Sequence, residues 1–525
     1  MISKSRTLAA TPQQEAGVSE NCSVDGKPII RILLYTDHPR VITPGQDVTD
    51  LGTMIEHLHA HGPTFATLCI DWLSRNSPDA DNRLNPKMLQ QYDQIWFFGI
   101  HQLSGENFMP DSLRGGPESE LDEHEVRALR NWMRIKLENG FRGGGVLMTG
   151  DHAEPRPPGG TPGQNKLCPD NSASERFLGL GRALGRCVPR AGLLRKWEGK
   201  PTKCKRDSFN TQTQVPGIDP DGPQLQVDEN PMQLLLPKFD ERGNPSSAGV
   251  PHPLFLYKTG KWIRVFPDHM HEGAVVLPTR LNPRVWPRGT YIQPKPRVIA
   301  HGIDHRNCRV LNILAAYNGD CAGVGRIVSD STWHHYFNVN LTEFGPPAPE
   351  GSVGDQIGQF YGNLAVWLSP RSTRREMARS MFFWLANHLF TLEELRSEPQ
   401  DCDESESDQL LEIGRAAYSL LNRVSPCEVH ELIQAVLPDE YCDQFETLYF
   451  PERGFSLSLL PSKEIMLGCI VDSYQQELIR IEATGSANPT LDSFALITSG
   501  FKKAFEVHVN RINHAALEAK KLWSF

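Results

Sequence analysis

Paired aspartate and histidine residues are the groups in this chain best suited to chemistry. The Asp-His dipeptide occurs four times, at Asp37-His38, Asp151-His152, Asp268-His269 and Asp304-His305, where composition alone gives about one. Carboxylate and imidazole together support two chemistries. One is metal ligation, in which His and Asp hold zinc, manganese or iron and further carboxylates orient the imidazoles. The other is general acid–base work, with a His tuned toward neutral pH by an adjacent Asp. The densest cluster is Asp268-His269-Met270-His271-Glu272. On an extended segment His269 and His271 point to one side, so both reach a common ion, whereas His334 and His335 point oppositely and only one of them joins.

The candidate catalytic set is therefore Asp151, His152, Asp268, His269, His271 and His334. His152 or His269 serves as general base, and Asp151 and Asp268 orient imidazoles. If a divalent metal is the cofactor, its candidate ligands are His152, His269, His271 and Glu272; no H-E-x-x-H or Cys/His spacing adds to that set. Asp37, His38, Arg195, Trp197 and Trp333 are candidate substrate-binding residues, Arg195 holding an anionic or hydroxyl-rich group. Taken singly, each pair also suits a plainer use, as a helix cap or a satisfied polar group in a turn.

The elements that must position these groups are read from apolar periodicity. Ile29 to Thr36 (IIRILLYT) is a continuous apolar run of the kind buried on both faces of a parallel sheet, and Asp37-His38 follow it. A helix is predicted from about Val48 to His61. Strands are predicted at Phe65 to Leu73 and at Gln94 to Ile100, and a second helix from Leu121 to Asn139 with Val126, Leu129, Trp132, Met133 and Leu137 on one stripe. Gly143-Gly144-Gly145 precedes the strand Val146 to Thr149, so it suits a tight turn and not a phosphate-cradling loop. Further strands are predicted at Trp262 to Phe266, Arg297 to Ile303, Val310 to Tyr317 and Gly325 to Ser329. All four Asp-His pairs thus follow a predicted strand, at the carboxyl edge where open parallel sheets bind ligands.

Strands alternating with helices predict an α/β domain with a mostly parallel sheet flanked by helices. The expected organisation is a polar, flexible leader at 1–28, the α/β domain at 29–396 with a long insertion at about 153–250, an acidic linker at 397–408, and a C-terminal α-helical domain at 409–525. At 525 residues the chain exceeds one ordinary core. The formal net charge of −9 argues against a nucleic-acid partner. No run reaches the length of a membrane span. The 11 cysteines are scattered without a C-x-x-C, which fits free thiols in the cytoplasm.

On Ile32 to Asp37, Tyr92 to Gly99 and Gly143 to His152, residues 30–345 resemble the class I glutamine amidotransferase-like (flavodoxin-like) superfamily, in particular its ThuA-like branch. The segment Asp330-Ser331-Thr332-Trp333-His334-His335 is similar to that of a bacterial subfamily with this domain. The resemblance implies a flavodoxin-like fold and, from the ThuA-like branch, a carbohydrate-like substrate. Amidotransferases place a Cys or Ser after the strand corresponding to Val146 to Thr149. This chain has Gly150 and Asp151 there, so it is not expected to be a cysteine-dependent glutaminase, and His152 could match the histidine of ThuA-like proteins.

The expectation is a hydrolase or lyase acting on a small polar substrate in an Asp/His-rich pocket at the sheet's carboxyl edge. The alternative is a non-catalytic ligand-sensing or assembly module, with oligomerisation or a protein partner engaged through the C-terminal helices.

Overall fold

The computed structural model describes residues 27–36, 50–74, 82–98, 123–136, 141–149, 231–240, 244–258, 261–267, 293–304, 309–341, 344–388, 406–421, 424–437, 463–484 and 492–522, with short stretches at 195–196, 209–210, 270–271, 274–275, 277 and 287–289. Its centre is a seven-stranded sheet: β1 (Ile29–Thr36), β2 (Thr67–Ser74), β3 (Gln94–Phe98), β4 (Gly145–Met148), β5 (Arg297–Asp304), β6 (Arg309–Tyr317) and β7 (Ile327–Asp330), in the order β5-β6-β7-β4-β3-β1-β2. Strands β2, β1, β3, β4 and β7 are mutually parallel. Strands β6 and β5 add antiparallel to β7 and to each other. The protein is thus α/β with a mostly parallel sheet. Register pairs Thr36 with Phe98, Phe97 with Met148 and Met148 with Ser329, so the last residues of β1, β3, β4 and β7 share one edge.

Alternation along the strands loads two layers. Ile30, Ile32, Leu34, Trp96, Phe98, Leu147 and Val328 face α1 (Gly52–Ala60), α3 (Val353–Leu368) and α4 (Arg371–His388). Leu33, Tyr35, Ile95, Phe97, Val146, Met148 and Ile327 face α2 (Glu123–Trp132). Packing of α1 on α3 is close because Gly358 and Gly362 carry no side chain. A Cβ at Gly362 would stand 2.0 Å from the His61 carbonyl oxygen.

Four C-terminal helices follow: α5 (Glu406–Leu421), α6 (Pro426–Val436), α7 (Lys463–Thr484) and α8 (Ser493–Leu522). Helix α6 is fixed to the sheet layers by charge. Glu431 accepts from Arg326 Nη1 at 2.5 Å and from Arg374 Nη1 at 3.0 Å, and both arginines also reach Asp320. Glu428 accepts the backbone N–H groups of Thr64 and Phe65 at 2.8 and 2.9 Å.

Three sequence expectations are corrected. The helix predicted from Leu121 to Asn139 ends at Trp132, and Ile135–Lys136 pairs antiparallel with Phe141–Arg142. Trp132 sets that limit: its carbonyl accepts from Gly144 N, and its ring occupies the place a Cβ at Gly144 would need, 2.0 Å away. Trp262 to Phe266 is not one strand of the sheet. Lys261–Trp262 pairs with Leu256–Tyr257, and Val265–Phe266 with Met232–Gln233, while the place beside β4 is taken by β7. Residues 355–396 also read as helical from their sequence, and the structure breaks that segment after Leu368, where Ser369 caps and Pro370 withholds an N–H.

Candidate functional site

Asp330 ends β7, a short strand flanked on both sides by others and buried on both faces by the layers that hold Val328 and Ile327. The chain then turns immediately, through Ser331 to Phe337, into the short helix Asn338–Leu341. That turn is held by its own polar groups. Thr332 N donates to Asp330 Oδ1 at 3.3 Å and His334 N to Thr332 Oγ1 at 3.1 Å. Its far end is pinned to the start of α1, where Asn338 N donates to the Asp50 carbonyl and Asn338 Oδ1 accepts from Thr53 N at 2.9 Å.

The turn returns His335 to the strand end. His335 Nδ1 lies 2.9 and 3.1 Å from the two carboxylate oxygens of Asp330, and Tyr336 Oη donates to the same carboxylate at 3.0 Å. A carboxylate accepts only, so Nδ1 is the donor in this pair. Tyr361 of α3 donates its hydroxyl to the His335 carbonyl, and the Phe266 ring meets the imidazole edge-on at 5.1 Å. Asp330, His335, Tyr336 and Tyr361 are all at most 1% exposed. Burial, reinforced by the Asp330 charge, pushes the Tyr336 and Tyr361 hydroxyls well above the usual phenol range. Both therefore stay protonated and act as hydrogen-bond donors.

His334, the sequence candidate, faces elsewhere. Its Nδ1 lies 3.0 Å from Asn340 Oδ1, and its ring stacks on Trp333 at 3.7 Å. Burial lowers its pKa to about 3, so it is neutral at physiological pH. Trp333 is buried against Phe337.

Of the remaining candidates, Asp37, His38, Asp151, His152, Trp197, Asp268, His269 and Glu272 lie outside the described residues. Arg195 and His271 are placed by backbone alone: Arg195 pairs with Val275 and His271 with Phe209. Val275 packs in the layer with Met148 and Tyr317, and its carbonyl accepts from Asn312 of β6. That layer lies on the opposite face of the sheet from Tyr336 and Tyr361. Among the described residues no group of three or more His, Cys, Asp or Glu is placed to hold a metal, and no helix is long and apolar enough to cross a membrane.

Sequence reasoning took His334 over His335 and gave no role to Asp330, Tyr336 or Tyr361. The available signal was an acid at the last position of a short apolar strand with an imidazole five residues later. Tyr361, from a different helix, left none.

Two other polar clusters are structural. At the opposite end of β7, Arg326 and Arg374 share Asp320 and Glu431, and Arg326 also lies over the Trp367 ring at 4.8 Å. Every charge there is matched. Between α1 and α3, His57 Nε2 meets the Phe344 carbonyl at 2.8 Å and Asp355 accepts from Tyr257 and from Gly351 N. Burial lowers the His57 pKa to about 4.

No family model and no curated protein matches the chain. Among solved structures it is similar to one titled mmIFT52 N-terminal domain, at 8% identity over 64% of this chain and 96% of that one, with a TM-score of 0.32.

Proposed function

We propose that this protein is a hydrolase or lyase acting on a small polar substrate, with His335 as general base and Asp330 as the group that orients it. The carrying observation is the buried Asp330–His335 hydrogen bond at the carboxyl end of β7. An imidazole held through Nδ1 by a carboxylate keeps the tautomer and direction that proton transfer at Nε2 requires. Its location supports the reading: the parallel strands run in the order β2-β1-β3-β4-β7, a doubly wound arrangement that reverses between β1 and β3 and binds ligands beyond the carboxyl edge. That order also supports the flavodoxin-like identity. On the ThuA-like resemblance we take the substrate to be carbohydrate-like, and on the scattered cysteines without a C-x-x-C we take the protein to be cytoplasmic. A divalent metal would be held by His152, His269, His271 and Glu272.

One observation favours a second reading, a non-catalytic module. The His335 ring is 1% exposed, as suits a pair that locks the 331–341 turn and meets no substrate.

The two separate on one variant. In a screen of small esters, glycosides and sugar acids, His335→Gln should lower turnover by about 10²- to 10⁴-fold while leaving the fold intact. Turnover by His335→Gln within a few-fold of the parent refutes the base assignment. Loss of native circular dichroism would assign the pair to structure.

A further inference from the structure

The Asp330 carboxylate is the meeting point of three donors, all from the turn that follows it. Thr332 N reaches Oδ1 at 3.3 Å and Tyr336 Oη reaches Oδ2 at 3.0 Å, while His335 Nδ1 lies 3.1 and 2.9 Å from the two oxygens. Tyr336 and His335 therefore share Oδ2. Both bonds draw on one anion, so the share held by either donor falls as the other's rises. With Asp330 fully buried, these protein donors take the place that water holds around a surface carboxylate.

Tyr361 acts on the main chain of the same histidine. It stands on α3, 26 residues further along, and donates its hydroxyl to the His335 carbonyl. A buried carbonyl that loses a donor carries a desolvation penalty, which the backbone relieves by moving. Such a movement would carry the imidazole away from Asp330. The Tyr361 ring lies 5.7 Å from the Tyr336 ring and 6.0 Å from His57, and a phenylalanine at the position would keep both contacts.

We infer that Tyr336 and Tyr361 are positioning residues for His335 and that they act in opposite senses. Tyr361 holds the imidazole against the Asp330 carboxylate, and Tyr336 limits how strongly that carboxylate engages the Nδ1 proton. The catalytic consequence rests on the assignment of His335 as general base; the opposition of the two hydroxyls rests on the geometry alone. A base used for proton transfer needs both controls, because its reach depends on where the ring is held and its donor side must not be over-bound.

Proton NMR of the full chain, labelled with nitrogen-15 at histidine, reads the pair without a substrate. An imidazole proton bonded to a carboxylate resonates far downfield of the backbone amides, and His335→Gln identifies it by its loss. Tyr361→Phe should move this proton upfield and speed its exchange with water. Tyr336→Phe should move it downfield. A general loosening of the core by a lost hydroxyl would move it upfield in both. On any substrate that the screen yields, Tyr361→Phe should lower kcat about tenfold and leave KM within about twofold of the parent. Displacements of the same sign, no displacement in either variant, or a parent spectrum without the proton overturns the inference. An unchanged kcat in Tyr361→Phe beside an impaired His335→Gln overturns it too. The base assignment fails separately: opposite displacements with full turnover in His335→Gln refute the base and leave the positioning in place.

Discussion

Truncating Glu431 should expose the largest single electrostatic dependence described in the structure. Its carboxylate is 1% exposed and bonds two arginines, Arg326 at 2.5 Å and Arg374 at 3.0 Å, themselves 1% and 0% exposed. With Asp320 the four side chains carry two positive and two negative charges. Glu431→Ala leaves two buried guanidiniums and one carboxylate. Removing one partner of a buried pair costs about 3–5 kcal/mol, because the remaining charge keeps its desolvation penalty. Arg326 retains Asp320 and the Trp367 carbonyl, and Arg374 retains Asp320 and the Ser369 carbonyl, so the lower half of that range applies, about 3 kcal/mol. Against a total stability of roughly 5–15 kcal/mol this is a large loss. Guanidinium unfolding followed by tryptophan fluorescence measures it, Trp367 lying against Arg326. A double-mutant cycle makes the test specific to charge. Once Glu431 is alanine, Arg374→Met removes the surplus cation, so it should cost at least about 1 kcal/mol less than in the parent. A Glu431→Ala loss under about 1 kcal/mol, or strict additivity in the cycle, would refute the argument.

Other consequences follow from the same geometry. Burial raises the Glu428 pKa from 4.5 to about 7, so the folded state holds a proton that the unfolded state releases. The associated stability is full below about pH 4.5 and is lost as pH rises toward 7; relative to Glu428→Gln, the parent should therefore lose roughly 3 kcal/mol between pH 4.5 and 8 in parallel denaturation series. His334 runs the other way. Its folded pKa near 3 against 6.5 unfolded gives stability that is complete above pH 6.5 and declines as pH falls, so between pH 7 and 5 the parent should lose about 2 kcal/mol that His334→Gln does not. Gly362→Ala places a methyl 2.0 Å from the His61 carbonyl oxygen and should cost about 1–3 kcal/mol in the same assay by forcing α1 off α3.

Much of the sheet was legible because its strands are unambiguous locally. IIRILLYT and QIWFF are too apolar for anything but a strand covered on both faces, and both lie within a residue or two of their predicted limits. The C-terminal helices α5 to α8 were legible for a matching reason, since their periodicity persists over enough turns to outweigh local exceptions. What failed depended on distant contacts. WIRVF has strand composition, yet composition does not say which neighbour a strand acquires, and GRIVS holds the place beside β4. The stripe from Val126 to Leu137 is continuous on paper, but the Trp132 ring must fit over Gly144, which ends the helix about two turns early.

The polar rim raises a subtler point about spacing. Covalently adjacent Asp and His residues on extended chain point to opposite faces, so an Asp-His dipeptide leaving a strand cannot by itself form the carboxylate–imidazole pair that acid–base chemistry needs. It can only contribute one member to a pair completed from elsewhere. The pair the fold does build joins Asp330 to His335, five residues apart, because a turn anchored by Thr332 at one end and Asn338 at the other folds the imidazole back onto the strand's last carboxylate. An acid at a strand terminus and an imidazole one tight turn later is therefore the better pattern to seek at this edge.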